Sequence, residues 1–347
     1  LHKEYRRQRQ MCIRDRDISL DAYRIESASA DLQGALAATY QTGYRLAMIW
    51  AGAGAFALAA FFQSAPSGAY DQTGWTWAYL IMAASISVGL ATTLLSPPPN
   101  ASDEKSKLRH LEEMRHHVHA FILRHPSLPR PIAKVIGWFG FVCVRPIADF
   151  FYRYRWHALA ILLLIATYRI SDVVMGVMSN PFYRDMGFTK EEVAAVSKIF
   201  GVVMTLVGTF IGGIVVLKIG ILKTLFIGAL LSAGTNLLFS ALAGIGHSLP
   251  FLVFTVSADN LSGGLASAAF IAYLSGLTNV QYSATQYAVF SSIMLILPKF
   301  LAGFSGVLVE SLGYSNFFIL TAALGVPVLV LIPIIGYLSR HRAPDKN

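Results

Sequence analysis

The stretch PFLVFTVSADNLSGGLASAAFIAYLSGL, residues 250–277, contains a single charged side chain, Asp259. Apolar residues are spread through it without strict alternation, which argues for a helix and against a strand of a barrel. A membrane-crossing helix needs about 20 mainly apolar residues. The stretch therefore predicts a membrane-spanning helix with a carboxylate near its middle.

Working outward, seven more segments meet the same length criterion, at roughly 37–62, 75–96, 157–180, 193–217, 223–245, 284–309 and 315–338. The whole chain agrees with them: of 347 residues 55% are hydrophobic and only 14% charged, at a mean hydropathy of +0.54. Soluble domains carry roughly 25% charged residues. Two cysteines, Cys12 and Cys143, with no CxxC spacing, exclude a disulfide scaffold and a thiolate metal centre. The expectation is an all-α integral membrane bundle of about eight transmembrane helices, with no cofactor and no metal.

Lys and Arg set the orientation. Ten fall between 97 and 155, and others follow at Lys218, Lys223, Arg340, Arg342 and Lys346. The links 63–74, 246–249 and 310–314 hold none. This bias predicts that the long loop and both termini lie in the cytoplasm. It also accounts for most of the +9 net charge as topology, not nucleic-acid binding. The expected organisation is a basic arm at 1–16, a remnant of an N-terminal helical bundle at 17–96, a cytoplasmic linker at 97–155, a C-terminal six-helix bundle at 156–340 and a tail at 341–347. Within the linker, 103–125 reads as an exposed charged helix and 132–152 as an interfacial amphipathic one. Residues 1–16 fit neither a signal peptide nor a span. Met11-Cys-Ile-Arg-Asp-Arg16 resembles a translated sequencing-adapter remnant, and the expectation is that upstream sequence is missing.

Ionisable groups inside a bilayer cost about 2.5–3.5 kcal/mol each on insertion scales and normally face a partner or a wet cavity. Asp259, with no basic residue within a turn, needs a partner on another helix or a proton. Arg169 and Asp172 are three apart, on one helical face, with Tyr168 beside them. Asp17 and Asp21 share a face with Arg24 one turn on. Arg45 after Tyr44, Lys198 near a span end and Lys299 after Pro298 complete the set. Asp259, Asp172, Asp21 and Asp17 are the proton-coupling candidates. Five histidines (His110, His116, His117, His119 and His125) read as a solvated helix face in preference to a zinc site.

Several strings together resemble the AmpG-type muropeptide permease family of the major facilitator superfamily. They are DISLDAYR at 17–24, GYRLAM at 43–48, LIATYRISD at 164–172, KIFG at 198–201, DNLSGG at 259–264 and SATQYA at 283–288. The turn Gly213–Lys223 resembles the superfamily's glycine-basic turn, with Leu217 where an acidic residue is usual. The resemblance implies a twelve-helix fold, of which this chain holds the end of helix four and helices five to twelve. It implies proton-driven import of anhydro-muropeptides in peptidoglycan recycling across a bacterial inner membrane, by a transporter and not an enzyme, expected as a monomer. For such cargo, Arg45, Arg169, Lys198 and Lys299 are placed to meet carboxylates. Tyr44, Tyr168 and Tyr287 suit sugar faces, and Asn260 and Gln286 suit hydroxyls and amides. The alternatives are a symporter of another organic anion or glycan and, from a different class, a non-transporting membrane protein.

Overall fold

The computed structural model describes residues 15–29, 32–63, 72–97 and 102–340; the side chains of 102–107, 110, 198, 199 and 340 are outside that description. The expected basic arm, apart from its last two residues, and the tail 341–347 also lie outside it. Among the described residues there are helices and no strands. The chain forms two compact units, Thr39–Ala101 and the remainder, so that residues 15–38 group with the later helices.

Helix α1 covers 15–26. Helix α2 runs from Gln33 to Phe61 through a π turn at Trp50–Gly54, and α3 spans Gln72–Leu95. Within the smaller unit, α2 and α3 pack as a hairpin: Phe56 meets Trp75 edge-on at 5.4 Å and Phe62 stacks on Trp77 at 5.7 Å. Helix α4 is Ser102–Arg124. Helix α5, Arg130–Tyr154, is continuous through a π turn at Gly140–Val144. At 25 residues, α5 is long and apolar enough to cross a membrane, although the sequence predicts an interfacial helix. The π turn carries the helix past Arg145 and Pro146, where a count of apolar residues alone would stop.

Helix α6 comprises His157–Thr167 and Ile170–Asp185. Regular structure lapses at Tyr168 and Arg169, where Arg169 takes φ −96° and ψ 6°. Helix α7 comprises Lys190–Ala195, a π turn at Val196–Gly201, and Val202–Ile219. Its start is a reciprocal capping box. Thr189 Oγ1 accepts from the Glu192 N–H at 3.2 Å, and the Glu192 carboxylate accepts from the Thr189 N–H at 2.8 Å. Helices α8 (Ile221–Ile245), α9 (Leu249–Leu277), α10 (Ser283–Ala302), α11 (Ser305–Ala323) and α12 (Val326–Arg340) follow. Gly313, at φ +73°, breaks α11 and marks the 310–314 link that the sequence predicts between the last two spans.

Eight helical stretches among the described residues are long and apolar enough to cross a membrane. They include α5 and count Ser305–Ser339 once. Helix α9 has the length, at 29 residues, but Asp259, Asn260 and its serines and glycines dilute its apolar character. It runs through the packed interior between α7 and α8. Close approach to α7 is made by small residues: a Cβ on Gly208 would overlap the Leu261 carbonyl, and one on Gly212 would lie 2.9 Å from Leu265 Cα. Outward-facing Phe210, Phe254, Ile296 and Val307 are exposed, as a lipid-solvated surface requires.

Candidate functional site: a polar layer inside the helical bundle

Two separate apolar clusters build the core of the larger unit. One holds Ile161, Leu164, Leu225, Phe270 and Val328; the other holds Val174, Phe182, Phe239, Leu252 and Phe317. Between these clusters α6, α8, α9 and α11 each carry polar side chains: Arg169 and Asp172, Thr235 and Asn236, Asp259 and Asn260, and Thr321. Four helices thus contribute hydrogen-bonding groups at one level, with apolar packing on either side. In a bilayer core such groups must satisfy one another or face water, and this layer does the former in large part.

Its centre is ionic. Arg169 pairs with Asp172 through Nη2 and donates from Nη1 to Ser267 Oγ at 3.1 Å. Both members of the pair remain roughly one-quarter exposed, so the pair is reachable from outside the packed core. Asp259 accepts from Thr235 Oγ1 at 3.1 Å and lies within Coulombic reach of both Arg169 and Asp172. Around it, Asn236 donates to Ser171 Oγ at 2.8 Å, and Ser171 donates to the Thr321 carbonyl at 2.8 Å. One basic and two acidic side chains therefore share a layer in which one carboxylate is ion-paired and the other has a hydroxyl.

The other residues singled out from the sequence are placed as follows. Asn260 points toward α7, donating to the Val256 carbonyl at 2.8 Å and accepting from Thr205 Oγ1 at 2.9 Å. Tyr168 is buried, stacked on Phe270 at 4.4 Å, with its hydroxyl on the Leu225 carbonyl at 3.2 Å. Lys198 lies in the π turn of α7, its side chain outside the description. Tyr44, exposed, and Arg45, half-buried, belong to the smaller unit. Asp17, Asp21, Tyr287 and Lys299 line one cavity of about 610 Å³ together with Ser291 and Ser292. There Arg24 lies 3.5 Å from Asp21, donates to Ser275 Oγ at 3.0 Å and covers the Tyr287 ring at 5.4 Å.

Gln286 has a different setting. It is buried in a clasp that joins α5 to the turn between α9 and α10. Its Nε2 donates to Asp149 at 2.9 Å and to the Pro146 carbonyl at 2.8 Å. Its Oε1 accepts from Arg153 at 3.0 Å and from the Asn279 N–H at 2.7 Å. Arg153 also pairs with Asp149 at 2.9 Å. Sequence reasoning did not single out Asp149, Arg153 or Asn279. The i,i+4 spacing of Asp149 and Arg153 was the one signal available for them. Thr235 and Ser267 were likewise unmarked. Among the described residues no three His, Cys, Asp or Glu side chains converge on a metal position.

No family model matches the chain. Individual relatives do. It is 31% identical over 316 residues to the AmpG 4 transporter of Rickettsia felis, covering 91% of this chain and 68% of that one. It is 30% identical, with the same coverage, to AmpG 4 of Rickettsia conorii. To the anhydromuropeptide permease of Escherichia coli K12 it is 29% identical over 322 residues, covering 92% of this chain and 57% of the permease.

Proposed function

We propose, from the premise that this chain belongs to the AmpG family of transporters, that it moves anhydro-muropeptides across a bacterial inner membrane with protons as the driving partner. It is a multi-pass helical membrane protein of the major facilitator type and not an enzyme. The single observation that carries the reading is the placement of Asp259 beside the Arg169–Asp172 pair, between two apolar clusters of the bundle.

A muropeptide is sugar-rich and carries peptide carboxylates. Arg169, one-quarter exposed and held by Asp172, is a cation that such a carboxylate can engage by displacing the intramolecular partner. Displacement leaves Asp172 and Asp259 near one another without their counter-charge, which favours uptake of a proton by one of them. Cargo and proton are then linked through one arginine, and the neutralised layer moves with the bundle between its two access states. Lys299 with Asp17, Asp21 and Tyr287 offers a second polar wall for the same cargo. Arg45 and Tyr44, on the smaller unit, and Lys198 are proposed cargo contacts. The Lys and Arg distribution supports cytoplasmic termini, and a monomer is the proposed state.

Uptake of labelled anhydro-muropeptide by vesicles containing the full-length protein tests the reading, with simple sugars and unmodified peptides as comparators. Selective accumulation that collapses with the pH gradient is the expected result. Equal uptake of all three would remove the muropeptide assignment, and muropeptide accumulation indifferent to the gradient would remove the proton.

A further inference from the structure

Helices α4 and α5 close on one another at Gly137, where an added Cβ would lie 3.2 Å from Phe121 Cβ and 3.4 Å from Val118 Cα. Two cavities flank this seam and share no residue. One, of about 800 Å³, takes in Glu112 and Glu113, and Arg145 answers Glu113 there at 3.1 Å. The other, of about 530 Å³, is lined by Arg115 and His119 of α4 and Lys134 of α5, with Val118, Ile122 and Trp138 among its apolar walls. Among the described residues no carboxylate lines this second groove.

Helical spacing sorts α4 in the same way. Leu108, Leu111, Arg115, Val118 and Ile122 recur at intervals of three and four along one edge. Leu108 and Leu111 are 57% and 50% exposed, and across the groove on α5 Val135 and Trp138 are 64% and 48% exposed. The hairpin therefore offers one face of uncovered apolar side chains edged by bases, and turns Glu112 and Glu113 to the other side.

Two restraints fix where that face lies. The far end of α5 is clasped through Gln286 to α10, a helix long and apolar enough to cross a membrane, which holds the hairpin at the bilayer surface. The pair cannot enter the hydrocarbon, because α4 would carry Arg109, Glu112, Glu113, Arg115 and Arg124 in with it. A helix pair kept at that level, apolar and basic on one face, complements a leaflet whose headgroups are negative. Its apolar side chains sit beneath the headgroups, its bases extend to the phosphates, and Trp138 occupies the boundary that tryptophan favours.

We infer that this face of the α4–α5 hairpin docks on the adjoining leaflet and gathers anionic phospholipid headgroups through Arg115 and Lys134, so that α5 lies along the interface and does not cross the membrane. The docking face shares no residue with the polar layer and is independent of the cargo assigned above.

The test is nitroxide accessibility in the full chain, with Cys12 and Cys143 replaced by serine and the protein reconstituted in bilayers. In bilayers containing phosphatidylglycerol, labels at Leu111→Cys and Val135→Cys should meet a water-soluble nickel chelate at least about threefold less than a label at Glu112→Cys, as burial of one face demands. Each Lys or Arg near an anionic surface favours the docked state by about fivefold, so Arg115→Glu with Lys134→Glu should abolish this contrast. Arg124→Glu, on the opposite side of α4, should leave it in place. Equal nickel exposure of the three labels overturns the docking face, and a Val135 label at the oxygen-rich centre of the bilayer overturns the interfacial course of α5. A contrast undiminished in pure phosphatidylcholine overturns the anionic headgroups, and equal loss with Arg124→Glu overturns their assignment to this groove. Shielding that appears only as protein concentration rises marks a second copy and overturns the lipid.

Discussion

Thr235 on α8 donates its hydroxyl to Asp259 on α9 at 3.1 Å, across the middle of the bundle. That contact gives the interior carboxylate a neutral partner on a neighbouring helix, whereas Asp172 is ion-paired with Arg169 on its own helix. The two acids therefore occupy unequal settings within one layer, an arrangement suited to taking up a proton at one of them.

Asp259→Asn should abolish gradient-driven accumulation of cargo in the full-length protein while leaving it folded in the membrane. An amide keeps the shape and accepts from Thr235 but cannot carry a titrating proton. Uptake in vesicles with an imposed pH gradient checks this, alongside counterflow exchange, which needs no net proton movement and should persist. Undiminished driven uptake would make Asp259 a packing residue.

At the α7–α9 contact, Gly208→Leu should destabilise the protein by about 1–3 kcal/mol, the usual cost of overpacking. There is no room between Gly208 and the Leu261 carbonyl. Gly263→Ala, where an added Cβ meets nothing within 4 Å, should be neutral or mildly stabilising, because alanine is the better helix former. Thermal unfolding in detergent separates the two, and similar melting temperatures for both variants would contradict the seam.

In the α5 clasp, Gln286→Ala strands the Asn279 N–H, which Gln286 satisfies, and removes a second bond from the Pro146 carbonyl. The expected cost is about 1–3 kcal/mol, set by the backbone N–H left unpaired. Thermal unfolding measures the total. A double-mutant cycle of Gln286→Ala with Arg153→Ala should return a coupling energy, and strict additivity would show that the clasp is not cooperative.

Outside the membrane-spanning segments, the Thr189 N–H, aided by His247 at 3.4 Å, holds the Glu192 carboxyl below its ordinary value of 4.5. A carboxyl with a lowered folded-state pKa stabilises the fold above its unfolded value, and that contribution disappears as pH falls through the folded one. The melting-temperature advantage of the wild type over Glu192→Gln should be present at about pH 7 and shrink as pH drops below 4.5. An advantage that grows on acidification would reverse the assignment.

How much of this was legible beforehand follows from how local each signal is. The Arg169–Asp172 pair is an i,i+3 relation, and the break at Gly313 lies in a short link without Lys or Arg. Both are written in consecutive residues. Gln286 is not: its partners Asp149 and Arg153 lie 137 and 133 positions away, and its residue type suits cargo and clasp equally. The extent of α5 was close to legible, at 132–152 against Arg130–Tyr154, whereas the π turn at Gly140–Val144 that joins its two halves has no signature in a count of apolar residues. The common level of Thr235, Asp259 and Asp172 was also hidden, since helices running in alternating directions scramble depth along the chain.

Arg169 stands at the lapse between the two rods of α6, with Thr167 closing one and Ile170 opening the next. A guanidinium seated at an elbow can swing by changing a few backbone torsions, without dragging a full-length cylinder through its neighbours. The charge that meets Asp172 is thus carried by the least regular point of its helix, at the junction of the two rods.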